Sequence, residues 1–157
     1  MTTVNYKALI KSAKQAARDV LRTEKVNALL GYISNVEAKI TQSNERVERA
    51  AKQLAREEYD LRIATEFEHP DLADITKNVE ESRKRFAEYK SNEEKEVTAL
   101  NEKIAEYNTK IENWHNGTSK VDLDRLNTMA EAMVREKVGV DFNMGLYTAD
   151  ANSESVS

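Results

Sequence analysis

Apolar residues recur at every seventh position from Val26 through Ile33, Ile40, Val47 and Leu54 to Leu61. An offset series, Leu29, Val36, Ser43, Ala50, Glu57 and Ala64, completes the a and d positions of a heptad, strong at a and uneven at d. No other feature of the chain constrains the fold as tightly, because this spacing buries itself only as one helix laid against another. A second seam runs through Val79, Ser82, Phe86 and Tyr89, then Val97, Leu100, Ile104, Tyr107, Ile111 and Trp114. The interruption between Phe86 and Val97 is a stutter that relaxes the supercoil locally. Between the seams stands Glu68-His69-Pro70-Asp71, with the only proline of the chain. One helix must stop there, and an Asp can cap the next.

If the chain reverses at Pro70, Val26 faces Trp114, Leu29 faces Ile111, Ile33 faces Tyr107, Val36 faces Ile104, Ile40 faces Leu100, Ser43 faces Val97, Leu54 faces Phe86 and Leu61 faces Val79. The expected fold is all-α: a long antiparallel coiled-coil hairpin whose arms, residues 24–67 and 71–114, are equal in length. A straight arm reaches about 66 Å at roughly 1.5 Å per residue. Composition agrees: 39% hydrophobic and 33% charged residues suit exposed helices, and four Gly with one Pro punctuate too few turns for a sheet fold. Three layers are poor: Val47 opposite Glu93, Ala50 opposite Lys90, and Glu57 opposite Arg83. Either long side chains snorkel from a thin seam and Glu57 with Arg83 fixes the register, or this half of the hairpin receives a further helix or a second copy. Ala50, Ala51 and Ala55 would permit close approach there, and a homo-oligomer is the expectation, assembled through the bundle at the hairpin base and the C-terminal segment.

At the N-terminal end, Tyr6, Leu9, Ile10, Ala13, Ala16, Ala17, Val20 and Leu21 mark an apolar helical face. Lys7, Lys11, Lys14, Arg18, Arg22 and Lys25 mark a basic one. The heptad phase breaks at Asp19 and Arg22, so residues 1–23 are expected as a helix of their own. Asn116-Gly117 reads as a helix stop, and Asp122 can cap a short helix over 122–138. This helix and the first are expected to pack around Trp114 and Val26 as a bundle at the hairpin base, within a single helical domain, 1–138. Past it, Val138, Val140, Phe142, Met144 and Leu146 alternate with polar residues and glycines. That strand period fits either addition to a partner's sheet edge or an extended segment in a groove of the chain's own bundle. The polar end, Ala149 to Ser157, reads as disordered.

Charge is segregated. The basic face lies at one end, a tail carrying Asp141, Asp150 and Glu154 without a base at the other, and Glu66, Glu68, Asp71 and Asp74 crowd the reversal with no Lys or Arg between Ala64 and Thr76. Glu68-His69-Pro70-Asp71-Leu72-Ala73-Asp74 resembles the finger tip of Gre-type transcript-cleavage factors, and Pro70-Asp71 with Asp74 is similar to that of DksA-type factors. The resemblance implies insertion into the secondary channel of bacterial RNA polymerase, with Asp71 and Asp74 as ligands to a catalytic Mg²⁺. The zinc-binding cysteines of DksA-type factors have no counterpart here. Without the resemblance, Asp71 serves as a helix N-cap and Asp74 as its dipole partner.

With no Cys, and only His69 and His115, disulfides and multi-histidine metal sites are excluded. A Gly-rich phosphate loop and a nucleophile–base arrangement are also absent from the sequence. No apolar run approaches the roughly 18 residues of a membrane span, and the first residues lack a secretion-signal layout. Asn116-Gly117-Thr118, though a glycosylation sequon, therefore reads as a helix terminator. The expectation is a cytoplasmic, non-enzymatic interaction protein without a cofactor, binding a protein partner, in the style of bacterial or phage assembly factors and inhibitors. The basic face leaves nonspecific nucleic-acid binding as a further alternative.

Overall fold

The structure, a computed structural model, describes residues 5–147. Every regular element among them is helical: α1 (Tyr6–Glu66), α2 (Leu72–His115), α3 (Leu123–Val138) and one 3-10 turn, Met144–Tyr147. The first helix does not end near residue 23, where the heptad phase breaks. No Gly or Pro lies between residues 6 and 30, so nothing stops the helix, and the change of phase alters only which face is covered. Among the described residues, no helix is long and apolar enough to cross a membrane.

The chain forms two compact units, one of Leu30–Asn108 and one of Met1–Leu29 with Thr109–Ser157. In the Leu30–Asn108 unit, α1 and α2 pack against each other in opposite directions. Tyr32 meets Tyr107 with ring centroids 5.7 Å apart, Ser43 and Arg46 meet Glu93, and Arg83 Nε donates to Glu58 at 2.8 Å. The partner of Arg83 is thus Glu58 and not Glu57. The heptad positions mark the covered face: Ile33, Val36, Ser43, Ala64, Val79 and Leu100 are buried. Between them Val47, Ala50, Leu54, Glu57 and Leu61, with Phe86, Tyr89 and Val97, are only half-buried. A single facing helix shields part of each such side chain and leaves its flank open.

In the other unit, the core joins Ile10, Ala13, Ala17 and Leu21 of α1 to Leu126, Ala130 and Val134 of α3, closed by Phe142 and Met144. Its centre is not Trp114 and Val26. Ala17 and Ala130, both 0% exposed, lie in this core, where small side chains allow packed helices to approach closely. Trp114 stays half-buried outside it. α3 starts at Asp122, whose carboxylate accepts from the Asp124 amide at 2.9 Å, and ends at Gly139 with φ 118°, a backbone conformation glycine tolerates.

Of the two readings of Val138 to Leu146, the structure shows the segment laid on the chain's own bundle, and no strand occurs among the described residues. The chain turns after Gly139, and its polar backbone groups are taken by α3. Arg135 Nε donates to the Phe142 carbonyl at 2.9 Å, and the Glu131 carboxylate accepts from the Met144 amide at 3.2 Å. Phe142 stacks with Tyr6 and Tyr147 at centroid distances of 5.7 Å each, and Tyr6 with Tyr147 at 5.3 Å. The apolar alternation is therefore spent on the chain's own bundle. The region read as disordered, from Ala149, lies outside the described residues.

Candidate functional site

The α1–α2 reversal is built by backbone geometry first. The Glu68 amide donates to the Thr65 carbonyl at 3.3 Å and the His69 amide to the Ala64 carbonyl at 2.9 Å. This is the paired bonding of a Schellman helix end, with Glu68 at the left-handed position, φ 53°. Gly or Asn usually occupies that position, because a Cβ there clashes with the backbone. His69 Nδ1 accepts from the Asp71 amide at 3.0 Å, so the start of α2 is organised by the imidazole. The Asp71 and Asp74 carboxylates take no hydrogen bond or ion pair from a described residue. Side-chain capping by Asp71, expected from sequence, is not the arrangement found. Glu66, Glu68, Asp71 and Asp74 are all exposed, as is Phe67 at 78%. Among the described residues no group of three or more His, Cys, Asp or Glu is disposed to hold a metal ion.

Further along α1 and α2 the half-covered seam opens into two grooves. One of about 390 Å³ is lined by Ser43, Val47, Lys90, Glu93 and Val97. The other, about 290 Å³, is lined by Ala50, Leu54, Glu57, Arg85, Phe86 and Tyr89. These coincide with the layers that are poor in the sequence. The polar residues there are not idle. Ser43, 1% exposed, donates its hydroxyl to Glu93, and Arg46 adds an ion pair to the same carboxylate at 3.2 Å. The hydrogen bond from Ser43, followed by that from Arg46, holds the Glu93 carboxyl below its ordinary value, against the opposing effect of desolvation. The Arg46 guanidinium is correspondingly raised, chiefly by its hydrogen bond to Glu93.

The basic face of α1 is not a uniform solvent stripe. Lys7, Lys11 and Lys25 are exposed, but Lys14 is only 5% exposed and so is not offered to an external phosphate. Arg18 and Arg22 are half-buried and line a cavity with Trp114. Of the C-terminal candidates, Phe142 and Met144 are buried and Val138 half-buried, whereas Val140 and Leu146 are 83% and 77% exposed. Sequence reasoning missed His69 as a capping group and the Ser43–Glu93–Arg46 cluster. The signal available for the cluster was a hydroxyl and a carboxylate interrupting two apolar seams. No protein-family model, no curated protein and no solved structure matches the chain.

Proposed function

We propose that this is a non-enzymatic interaction protein, an antiparallel coiled-coil hairpin that serves an assembly, adaptor or inhibitor role and self-associates through the Val47–Leu61 half of its seam. The observation that carries this reading is the incomplete coverage of the middle of the seam, between the buried Ser43 and the buried Ala64. Ile33 and Val36 are buried by their facing helix, while Val47, Leu54, Leu61, Phe86 and Val97 stay half-buried beside two grooves. Apolar residues in register but incompletely covered are what a further helix adds burial to. The occupant favoured is a second copy of the chain. The flank carries Ala50, Ala51 and Ala55 for close approach, and charges of both signs, Glu57, Arg85 and Lys90, allow the same patch to face itself across a two-fold axis. Native mass spectrometry and light scattering test this: an assembly larger than one chain is expected, lost in Ala51→Arg/Ala55→Arg. A monomer at every concentration would sink the proposal.

A second reading, a regulator of RNA polymerase acting through the acidic reversal, is favoured by one observation. An acid occupies the left-handed position at Glu68, where glycine is less strained, beside Asp71 and Asp74 carboxylates with no described partner. Replacing Asp71 and Asp74 by Asn should abolish an effect on transcription in vitro. An equal effect of parent and variant, or none from either, rejects it.

A further inference from the structure

We infer that the unit formed by the ends of the chain carries a binding site for a nucleoside phosphate, in the cavity walled by Arg18, Arg22, Trp114 and Lys120. The cavity, about 400 Å³, falls in the size range of small-molecule pockets. Three pieces of chain build it. Arg18 and Arg22 stand one turn apart on α1, Trp114 comes from the last turn of α2, and Ser119, Lys120 and Val121 come from the link to α3. That link is fixed in advance. The Asn116 amide donates to the Glu112 carbonyl at 2.9 Å and the Ser119 amide to the Asn113 carbonyl at 3.0 Å. The Thr118 amide donates to Asn116 Oδ1 at 2.9 Å, and Gly117 makes the bend at φ 80°.

Three cations and no acid line the cavity. Arg22 has only a long contact to Asp19, at 3.8 Å, and that carboxylate also accepts from Gln15 Nε2 at 3.2 Å. Arg18 and Lys120 have no ion pair or hydrogen bond with a described residue. Two of the neighbouring acids are engaged elsewhere: Glu24 pairs with Arg125 at 3.3 Å, and Asp122 caps α3. Converging like charges of this kind are relieved by an anion, and guanidinium forks match the oxygens of a phosphate. The other wall is apolar and planar. Trp114 makes no ring contact with a described residue, and Val121 and Leu123 extend its surface. A base stacks on such an indole while its phosphate reaches the cations. A bare anion would use one half of the site and an uncharged ring the other; a nucleoside phosphate uses both. The same chemistry comes from a free nucleotide or from the phosphorylated end of a single strand.

Trp114 is the only tryptophan, so its fluorescence reports on the cavity directly. The 157-residue chain is titrated at low ionic strength with AMP, adenosine, inorganic phosphate and a terminally phosphorylated oligoadenylate. AMP is expected to change the emission saturably and to bind at least about tenfold tighter than phosphate or adenosine. Arg18→Gln and Lys120→Gln should each weaken AMP by about tenfold or more, whereas Lys11→Gln, exposed on α1 and outside the cavity, should leave it unchanged; circular dichroism verifies that each variant is folded. In Trp114→Leu, followed by calorimetry, AMP should fall to the affinity of phosphate. An oligoadenylate binding tighter than AMP identifies a strand end as the source, and equal affinities a free nucleotide; either supports the site. Absence of saturable AMP binding, phosphate binding as tightly as AMP, or AMP affinity unmoved by Arg18→Gln and Lys120→Gln would overturn it.

Discussion

At Glu93 a carboxylate sits within a hydrophobic seam, its side chain 12% exposed, and its chemistry makes packing depend on pH. Its folded-state pKa is lowered, first by the Ser43 hydroxyl and then by Arg46. The unfolded chain therefore takes up the proton first as pH falls. The stabilisation is fully present above the unfolded value and disappears as pH drops through the folded one. Thermal melts should show Glu93→Gln less stable than the parent near neutrality, with the gap closing as pH falls through and below the ordinary carboxylate range. A gap independent of pH would rule out this role. In the other unit the decisive residues are fully buried aliphatic ones. Leu126, 1% exposed, truncated to Ala should cost about 2–5 kcal/mol in denaturant unfolding. Ala130→Leu should cost about 1–3 kcal/mol, because a fully buried site leaves no room for the added carbons. The heptad identified Ser43 and Glu93 as irregular but not as partners: the reach of a long carboxylate across a layer depends on rotamer and axial offset, and a pattern of apolar spacing specifies neither.

Among the elements, α2 and α3 lie within a residue or so of their sequence-based limits, because Pro70, Gly117, Asp122 and Gly139 stop or cap helices through local backbone chemistry. The end of α1 at Glu66 was legible for the same reason, though the manner of its ending was not. Glu68 at φ 53° carries a steric cost that Gly would not. Glu68→Gly is expected to raise stability by roughly 0.5–1 kcal/mol, read from denaturant midpoints; no gain would mean that contacts of the glutamate side chain offset the strain. Asp122→Ala should lose about 1 kcal/mol, largely restored by Asp122→Ser. The segment after α3 shows the opposite case. Alternating apolar residues signal a strand only when another strand edge is available, and here Arg135 and Glu131 of α3 satisfy the backbone first.

For the whole molecule, self-association carries a thermodynamic signature. If copies bind through the half-covered seam, the melting temperature should rise with protein concentration, by about 1.4 kcal/mol of added stability per tenfold excess over the dissociation constant. Ala51→Arg/Ala55→Arg should make it concentration-independent. A parent protein whose melting temperature does not change with concentration would contradict that assembly. The sequence by itself determined the helical class, the reversal at Pro70 and the covered face of each long helix. These follow from spacing along one chain and from residues that stop or cap helices locally. Only the tertiary structure decided that α1 runs unbroken through its change of phase, that Ala17 and Ala130 centre the bundle, that Phe142 and Met144 close it, and that Arg18, Arg22, Trp114 and Lys120 share a cavity. Each of those depends on which distant surfaces meet, and that is set by shape and polar satisfaction in three dimensions, to which a one-dimensional period is blind.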